Sequence, residues 1–295
     1  MPLEQNTRLT VSAGIASSSV AGVLVLLKLW ALAQTGALSV AASLADSGMD
    51  LMVSLGALAA IVYAARPPDE DHAFGHTSAE DLAALGQALF VTITGLVIGW
   101  AAVARLLAPA PTELKEEGSG IVVMLISILL TLGLILWQRR VIRRTGSRVV
   151  EADALHYLGD LVFNLGAILS LAAASTLDLG QIDSVVALGA AAILILGALR
   201  VGRGAWDALM DRAADPKIAE GIAEIAGNWP GVRGFHDVKT RTAGSRVFVQ
   251  IHIELDGDQT LAEAHAIGAS LRRAIIEAYP QADVIIHKDV ARPPA

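Results

Sequence analysis

Six stretches of the chain, at about 9–33, 38–65, 82–108, 119–138, 152–177 and 182–207, reach the roughly 20 mostly apolar residues that a helix needs to cross a bilayer. Inside lipid every backbone N–H and C=O must be satisfied within the span itself, so this one pattern removes most folds and leaves a bundle of membrane helices. Composition agrees. Hydrophobic residues make up 54% and charged residues 17% of the 295, against roughly 25% charged in a soluble domain. Aromatic residues are only 4%, so the apolar mass is Ala, Leu, Val, Ile and Gly, the small ones of which let membrane helices approach one another closely. Ala31-Leu32-Ala33 resembles a signal-peptidase site. The apolar stretch before it is too long for a leader, contains Lys28 and lacks a basic start, so it is read as a retained first helix.

Lysine and arginine in the short connections set the orientation. Arg139, Arg140, Arg143, Arg144 and Arg148 crowd the loop between spans four and five, and Arg200 and Arg203 end span six. The connections at 34–37 and 178–181 hold neither residue type, and 109–118 holds Lys115 beside Glu113, Glu116 and Glu117. Both termini are therefore expected in the cytoplasm. A net charge of −7 with no basic arm argues against nucleic acid as a partner. The absence of cysteine excludes a disulfide framework, thiolate zinc sites, iron–sulfur clusters and thiol catalysis.

The character of the chain changes after residue 208, giving a membrane domain over 1–208 and a second domain over 209–295. Residues 216–228 read as a helix with Pro216 in its first turn. Segments 235–242 and 246–255 alternate as strands around Ala243-Gly244-Ser245. A second helix over 260–279 starts at a Thr260 cap with Glu263 three residues on, and 283–288 make a third strand. The expected architecture is all-α in the membrane, with six transmembrane helices, followed by a small cytoplasmic α+β domain of order α-β-β-α-β.

Polar residues inside the spans carry the chemistry. Asp46 and Asp50 lie four apart in the second span, and His156 and Asp160 lie four apart in the fifth. That spacing stacks each pair on one helix face. An ionised side chain at the bilayer centre costs about 3 kcal/mol even on lenient scales, so three carboxylates there need compensation. Together the two pairs offer three carboxylates and an imidazole, a donor set that suits a tetrahedral divalent cation such as zinc. The alternative is a buried hydrogen-bonded network or a proton path without metal. Lys28 can snorkel to the interface, and Asn164 suits inter-helix hydrogen bonding.

Outside the spans, Asp69, His72 and His76 form an Asp-x2-His-x3-His cluster between spans two and three, short enough to wrap one ion or simply to be a solvated acidic loop. The C-terminal domain holds His236, His252, His265 and His287, with Asp237 and Asp289 close by in sequence. Four histidines and a carboxylate could hold one or two zinc ions, or be unrelated surface groups.

These motifs, together with the segments Phe-His-Asp-Val-Lys-Thr-Arg, Val-Gln-Ile-His-Ile-Glu, Glu-Ala-His and Val-Ile-Ile-His-Lys-Asp, resemble the cation diffusion facilitator family, in its bacterial zinc and ferrous-iron efflux branch, over nearly the whole chain. The resemblance implies a transport site of Asp46, Asp50, His156 and Asp160 near the membrane midplane and a loop site of Asp69, His72 and His76. It also implies a binuclear cytoplasmic site of His236, His252, His265 and His287 bridged by Asp289. It further implies a homodimer in a bacterial cytoplasmic membrane, exchanging divalent metal for protons, with a metallochaperone-like C-terminal domain. One departure is visible: where relatives often carry a lysine just after the second loop histidine, to pair with an acid after span six, this chain reads Thr77-Ser78, although Asp211 is kept.

The expected function is export of zinc, with cadmium and ferrous iron as further candidates, by a proton antiporter working through alternating access. Metal binding needs deprotonated ligands, so loading the site releases protons and protonation ejects the ion. Histidine ordinarily titrates near neutrality, which makes His156 the natural coupling group. The competing class is a membrane-bound metal sensor that modulates a dimer without net transport. An intramembrane metalloenzyme would need a motif such as His-Glu-x-x-His, which the chain does not contain, so no enzymatic activity is expected.

Overall fold

The computed structural model describes residues 2–35, 38–107, 120–177 and 182–291. Lys115 with its acidic neighbours, the side chain of Asn164 and the 178–181 connection lie outside the described residues. The chain divides into two compact units, Asn6–Trp206 and Asp207–Ala295, the latter grouped with Met1–Gln5.

The first unit is helical: α1 (Pro2–Thr35), α2 (Leu38–Ala64), α3 (Ser78–Leu107), α4 (Gly120–Thr145), α5 (Arg148–Leu177) and α6 (Ile182–Leu209). Among the described residues five stretches are long and apolar enough to cross a membrane: Gln5–Gln34, Ser43–Ala64, Ser78–Leu107, Leu125–Thr145 and Ser184–Leu209. Much of α5, from Phe163 onward, has side chains outside the described residues. Large apolar side chains such as Leu26, Met52, Trp100, Leu129 and Leu196 face outward. That is the expected surface where lipid rather than water is the solvent. Inside, small residues permit close packing. A Cβ on Gly197 of α6 would meet Leu155 Cδ1 of α5 at 2.8 Å, and one on Gly159 of α5 would meet Leu194 of α6 at 3.0 Å. The two helices thus approach through complementary glycine–leucine contacts.

One expectation needs correction. Arg139, Arg140, Arg143 and Arg144 are not in a loop; they form the last turns of α4, and the connection to α5 is only Gly146-Ser147. Arginine is a good helix former, and cations near a helix C-terminus complement its dipole. Gly146 stops the helix at φ +65°, its N–H returning to the Ile142 carbonyl at 2.8 Å, as a left-handed C-terminal cap does.

The second unit contains α7 (Pro216–Gly227), β1 (Gly234–Ala243), β2 (Arg246–Leu255), α8 (Leu261–Ala278) and β3 (Ala282–Val290). The order α-β-β-α-β is the one expected. Asp215 caps α7 by accepting from the Lys217 N–H, and Thr260 with Glu263 forms a complete capping box on α8. The sheet runs β1-β2-β3, antiparallel between β1 and β2 and parallel between β2 and β3. The parallel pair requires a crossover, which α8 supplies. Along β2 the residues Val247, Val249, Ile251, Ile253 and Leu255 are all buried, in a core with Ile222 and Ala226 of α7 and Leu271 and Ile275 of α8. Period-2 alternation then leaves Gln250, His252 and Glu254 on the opposite, uncovered face.

Candidate metal-binding sites

Among the described residues three clusters of potential ligands form, and each comes from a different local logic. In the membrane unit, Asp50 of α2 and His156 of α5 meet with Oδ1 and Nε2 3.0 Å apart. One ligand atom from each of Asp50, His156 and Asp160 lies within 4.8 Å of the others. His156 and Asp160 are one turn apart on the same face of α5. Phe90 and Tyr157 flank the imidazole at ring-centroid distances of 5.8 and 5.5 Å. Asp46, expected as the fourth ligand, is one turn back along α2, exposed and not part of this close group. It remains within electrostatic reach of Asp50, His156 and Asp160. Lys28 is half-buried. Its Nζ donates to Ser47 Oγ at 2.6 Å and to the Ser43 carbonyl at 3.1 Å, which ties α1 to α2 beside Asp46.

The second cluster is local. Asp69 Oδ1 accepts the His72 backbone N–H at 2.7 Å and lies 3.1 Å from His72 Nδ1, while its Oδ2 lies 3.2 Å from His76 Nε2. Gly75, at φ +86°, makes the turn that brings the second histidine back. The hydrogen bond from the His72 backbone holds the Asp69 carboxyl below its usual range, with both imidazoles adding to it. His76 is buried, its Nδ1 lacking a hydrogen-bond partner among the described residues, and it packs edge-on against Tyr63 at 4.6 Å. All three expected ligands therefore converge, and Tyr63 joins them as a wall that the sequence did not single out.

The third cluster is written into strand register. His236 pairs with His252 across β1 and β2, and His252 pairs with His287 across β2 and β3. Three imidazoles thus stand in one row on the uncovered face, with ring centroids 5.1 and 4.6 Å apart. Asp289, two residues beyond His287 and so on the same face, reaches all three: Oδ2 is 2.8 Å from His252 Nδ1 and 3.4 Å from His236 Nε2, and Oδ1 is 3.2 Å from His287 Nε2. The hydrogen bond with His252 is the main cause that holds its carboxyl below the usual range. His265 is not brought to this row. It sits exposed on α8, and β2 has that helix on its other face. Glu254 is a neighbour that the sequence reading missed: its Oε1 lies 3.4 Å from His236 Nδ1. Two-residue spacing from His252 was the available signal. The Gly234 opposite it in the ladder leaves room, since a Cβ there would meet Glu254 Oε2 at 2.8 Å.

The donor sets share one character, and the loop group of Asp69, His72 and His76 has it too. The membrane group and the histidine row both combine imidazole with carboxylate, a mixture that suits zinc and its neighbours better than magnesium or calcium. Asp211 makes its ion pair within the second unit, accepting from Arg241 at 3.1 Å.

A helical membrane unit with an interior carboxylate–imidazole group, joined to a small domain with a histidine row, defines a membrane transporter of metal cations. The chain belongs to the cation efflux, or cation diffusion facilitator, family. Residues 14–210 match the cation efflux transmembrane domain, and residues 214–290 match the cytoplasmic domain of cation efflux proteins. It is 40% identical over 282 residues to the cation-efflux pump FieF of Klebsiella pneumoniae strain ATCC 700721, covering 96% of this chain and 93% of the relative. The FieF pumps of Citrobacter koseri and Escherichia fergusonii are 39% identical over the same length and shares. Among solved structures, the C-terminal domain of MamM is 22% identical, covering 25% of this chain and 96% of that one, with a TM-score of 0.25. Divalent cation efflux across a membrane is the activity that membership supports.

Proposed function

We propose that this protein exports zinc from the cytoplasm in exchange for protons, by alternating access at a site made by Asp50, His156 and Asp160 with Asp46 beside them. The observation that carries the proposal is the meeting of Asp50, His156 and Asp160 within 4.8 Å in the helical unit. The Nε2 of His156 that faces Asp50 can bind a proton, bridging to the carboxylate, or a metal ion, but not both. Proton and cation therefore compete for one lone pair, and that competition is the coupling. Imidazole in the set favours zinc, cadmium or ferrous iron over manganese.

The arginines at the end of α4 and at Arg200 and Arg203 support cytoplasmic termini, and likeness to the FieF pumps of bacteria supports residence in a bacterial inner membrane. Asp69, His72 and His76 hold a second ion. His236, His252, His287 and Asp289 hold regulatory metal, with His265 as a further ligand in the assembled homodimer. Metal there shifts the transport equilibrium to the extent that its affinity differs between conformations.

The test is zinc flux into proteoliposomes containing a pH dye, with Asp50→Ala alongside. Zinc movement with opposite proton movement, both lost in the variant, is the expected result. Zinc binding without flux in the wild type would replace the transporter with a metal sensor.

A further inference from the structure

One buried cluster beside the metal site is used by neither the transport nor the regulatory reading. Asp153 of α5 is 3% exposed. Gln138 of α4 donates from Nε2 to Asp153 Oδ2 at 2.7 Å, and Gln87 of α3 turns its Nε2 to Asp153 Oδ1 at 3.5 Å. Four residues on, the Tyr157 hydroxyl lies 2.9 Å from Ser54 Oγ of α2 and donates to the Ser17 carbonyl of α1 at 3.4 Å. Ser17 and Ser54 are themselves joined at 3.0 Å. Four helices, α1 to α4, therefore tie into the polar side of α5.

Among the described residues no ion pair reaches Asp153; its carboxyl group is held in the helix interior by Gln138, Gln87 and the Ser17 hydroxyl, with His156 within electrostatic reach. Both glutamines present Nε2 to it although Oε1 of each is then buried without a partner among the described residues. The carboxylate dictates their orientation. A buried polar group of this kind stabilises little and is best explained by the register it enforces. Here the register is informative. Asp153, His156, Tyr157 and Asp160 fall at i, i+3, i+4 and i+7, a single helix face. The rotation of α5 that seats Asp153 between the two glutamines is the rotation that sets His156 Nε2 3.0 Å from Asp50.

We infer that Asp153, held by Gln87 and Gln138, is a positioning residue for the metal site, fixing the rotation of α5 that brings His156 and Asp160 to Asp50. The inference rests on the proposed transport site, and the experiment separates the two. Zinc flux is measured with the full chain in proteoliposomes for the wild type, Asp50→Ala, Asp153→Asn, Gln138→Ala, and the exchange combining Asp153→Asn with Gln138→Glu. The exchange swaps amide and carboxylate across the same hydrogen bond.

Removing a group that orients a ligand lowers metal affinity about 10- to 100-fold. Asp153→Asn should raise the KM for zinc by that factor with a smaller change in maximal rate, and Gln138→Ala should give a smaller rise of the same sign. The exchange should return KM close to the wild-type value, a recovery that mere loss of packing would not show. An unchanged KM in Asp153→Asn while Asp50→Ala is inactive overturns the inference, as does a raised KM that the exchange fails to lower. Flux persisting in Asp50→Ala would remove the site assignment itself.

Discussion

Asp50→Asn is the substitution whose effect follows most directly from the geometry. It keeps the shape of the side chain and removes one charge from the closest contact in the membrane group. At the 3.0 Å between Asp50 Oδ1 and His156 Nε2, a unit charge pair in an effective dielectric of about 20 interacts by about 5 kcal/mol. Desolvation of both partners offsets much of that, since the side chains are only 14% and 9% exposed. With the ion in place of the proton on Nε2, Asp50→Asn removes the carboxylate that faces a buried cation, and leaving a buried charge without its partner costs about 3–5 kcal/mol net. At about 1.4 kcal/mol per decade this is a hundredfold to more than a thousandfold rise in dissociation constant. Titration calorimetry in detergent reads the value directly if Asp69→Ala and Asp289→Ala are present to silence the other two clusters. Repeating the titration in buffers of different ionisation enthalpy also counts the protons released, and the variant should release fewer. A dissociation constant within threefold of the parent would refute the reasoning, because it would mean that Asp50 does not contact the ion.

Other consequences can be checked separately. His156→Asp turns the group into an all-oxygen set, so the preference for zinc over manganese should fall at least tenfold in competition flux; a wild-type preference would remove His156 from selectivity. Gly197→Val places branched bulk where Leu155 Cδ1 already lies 2.8 Å from a Cβ position, and overpacking of this kind should lower stability by about 1–3 kcal/mol in thermal melts, whereas no loss would show that α5 and α6 can separate freely. Because the Asp69 carboxyl is held below its ordinary value in the fold, the order it gives the loop is complete above the ordinary carboxylate range and lost as pH falls through the lowered value. Hydrogen exchange at the His72 amide should therefore stay slow through neutral and mildly acidic pH and accelerate, relative to its intrinsic rate, only in acid. Acceleration beginning near neutrality would place control with the histidines instead.

Much of this was legible in the sequence because the signals were periodic. Apolar runs located the helices, i, i+4 spacing paired His156 with Asp160, and period-2 alternation put His252 on the uncovered face of its strand. What escaped notice depended on helix ends or on distant partners. The arginines after Gln138 read as a loop because charge was taken as the end of a span, yet a helix continues past the membrane when its residues favour it. Asp153 was overlooked although it lies within the fifth span, since its partners Gln87 and Gln138 are 66 and 15 residues away in the chain. Asp46 shares a spacing rule with Asp50 but not a position: a turn of helix moves a side chain along the axis as well as keeping its face. Glu254 and the placement of His265 follow from the sheet, where register and helix coverage decide what faces what. Glu254 could be counted two residues on from His252 along β2, but its meeting with His236, like the placement of His265, cannot be counted off one strand alone.

The Gly146-Ser147 connection has a mechanical consequence. Helices α4 and α5 are joined at their base by two residues and braced above it by the Gln138–Asp153 hydrogen bond and by Leu134 and Ile135 against Tyr157 and Leu161. Such a pair behaves as one stiff paddle, so a displacement of α5 carries α4 with it. Against α6, by contrast, α5 packs by reciprocal apolar contacts, its Leu155 over Gly197 and its Gly159 under Leu194. Among the described residues no hydrogen bond crosses that contact, so sliding there should cost less than breaking the α4–α5 brace. The alternating access proposed above should run along this seam and leave the paddle undeformed.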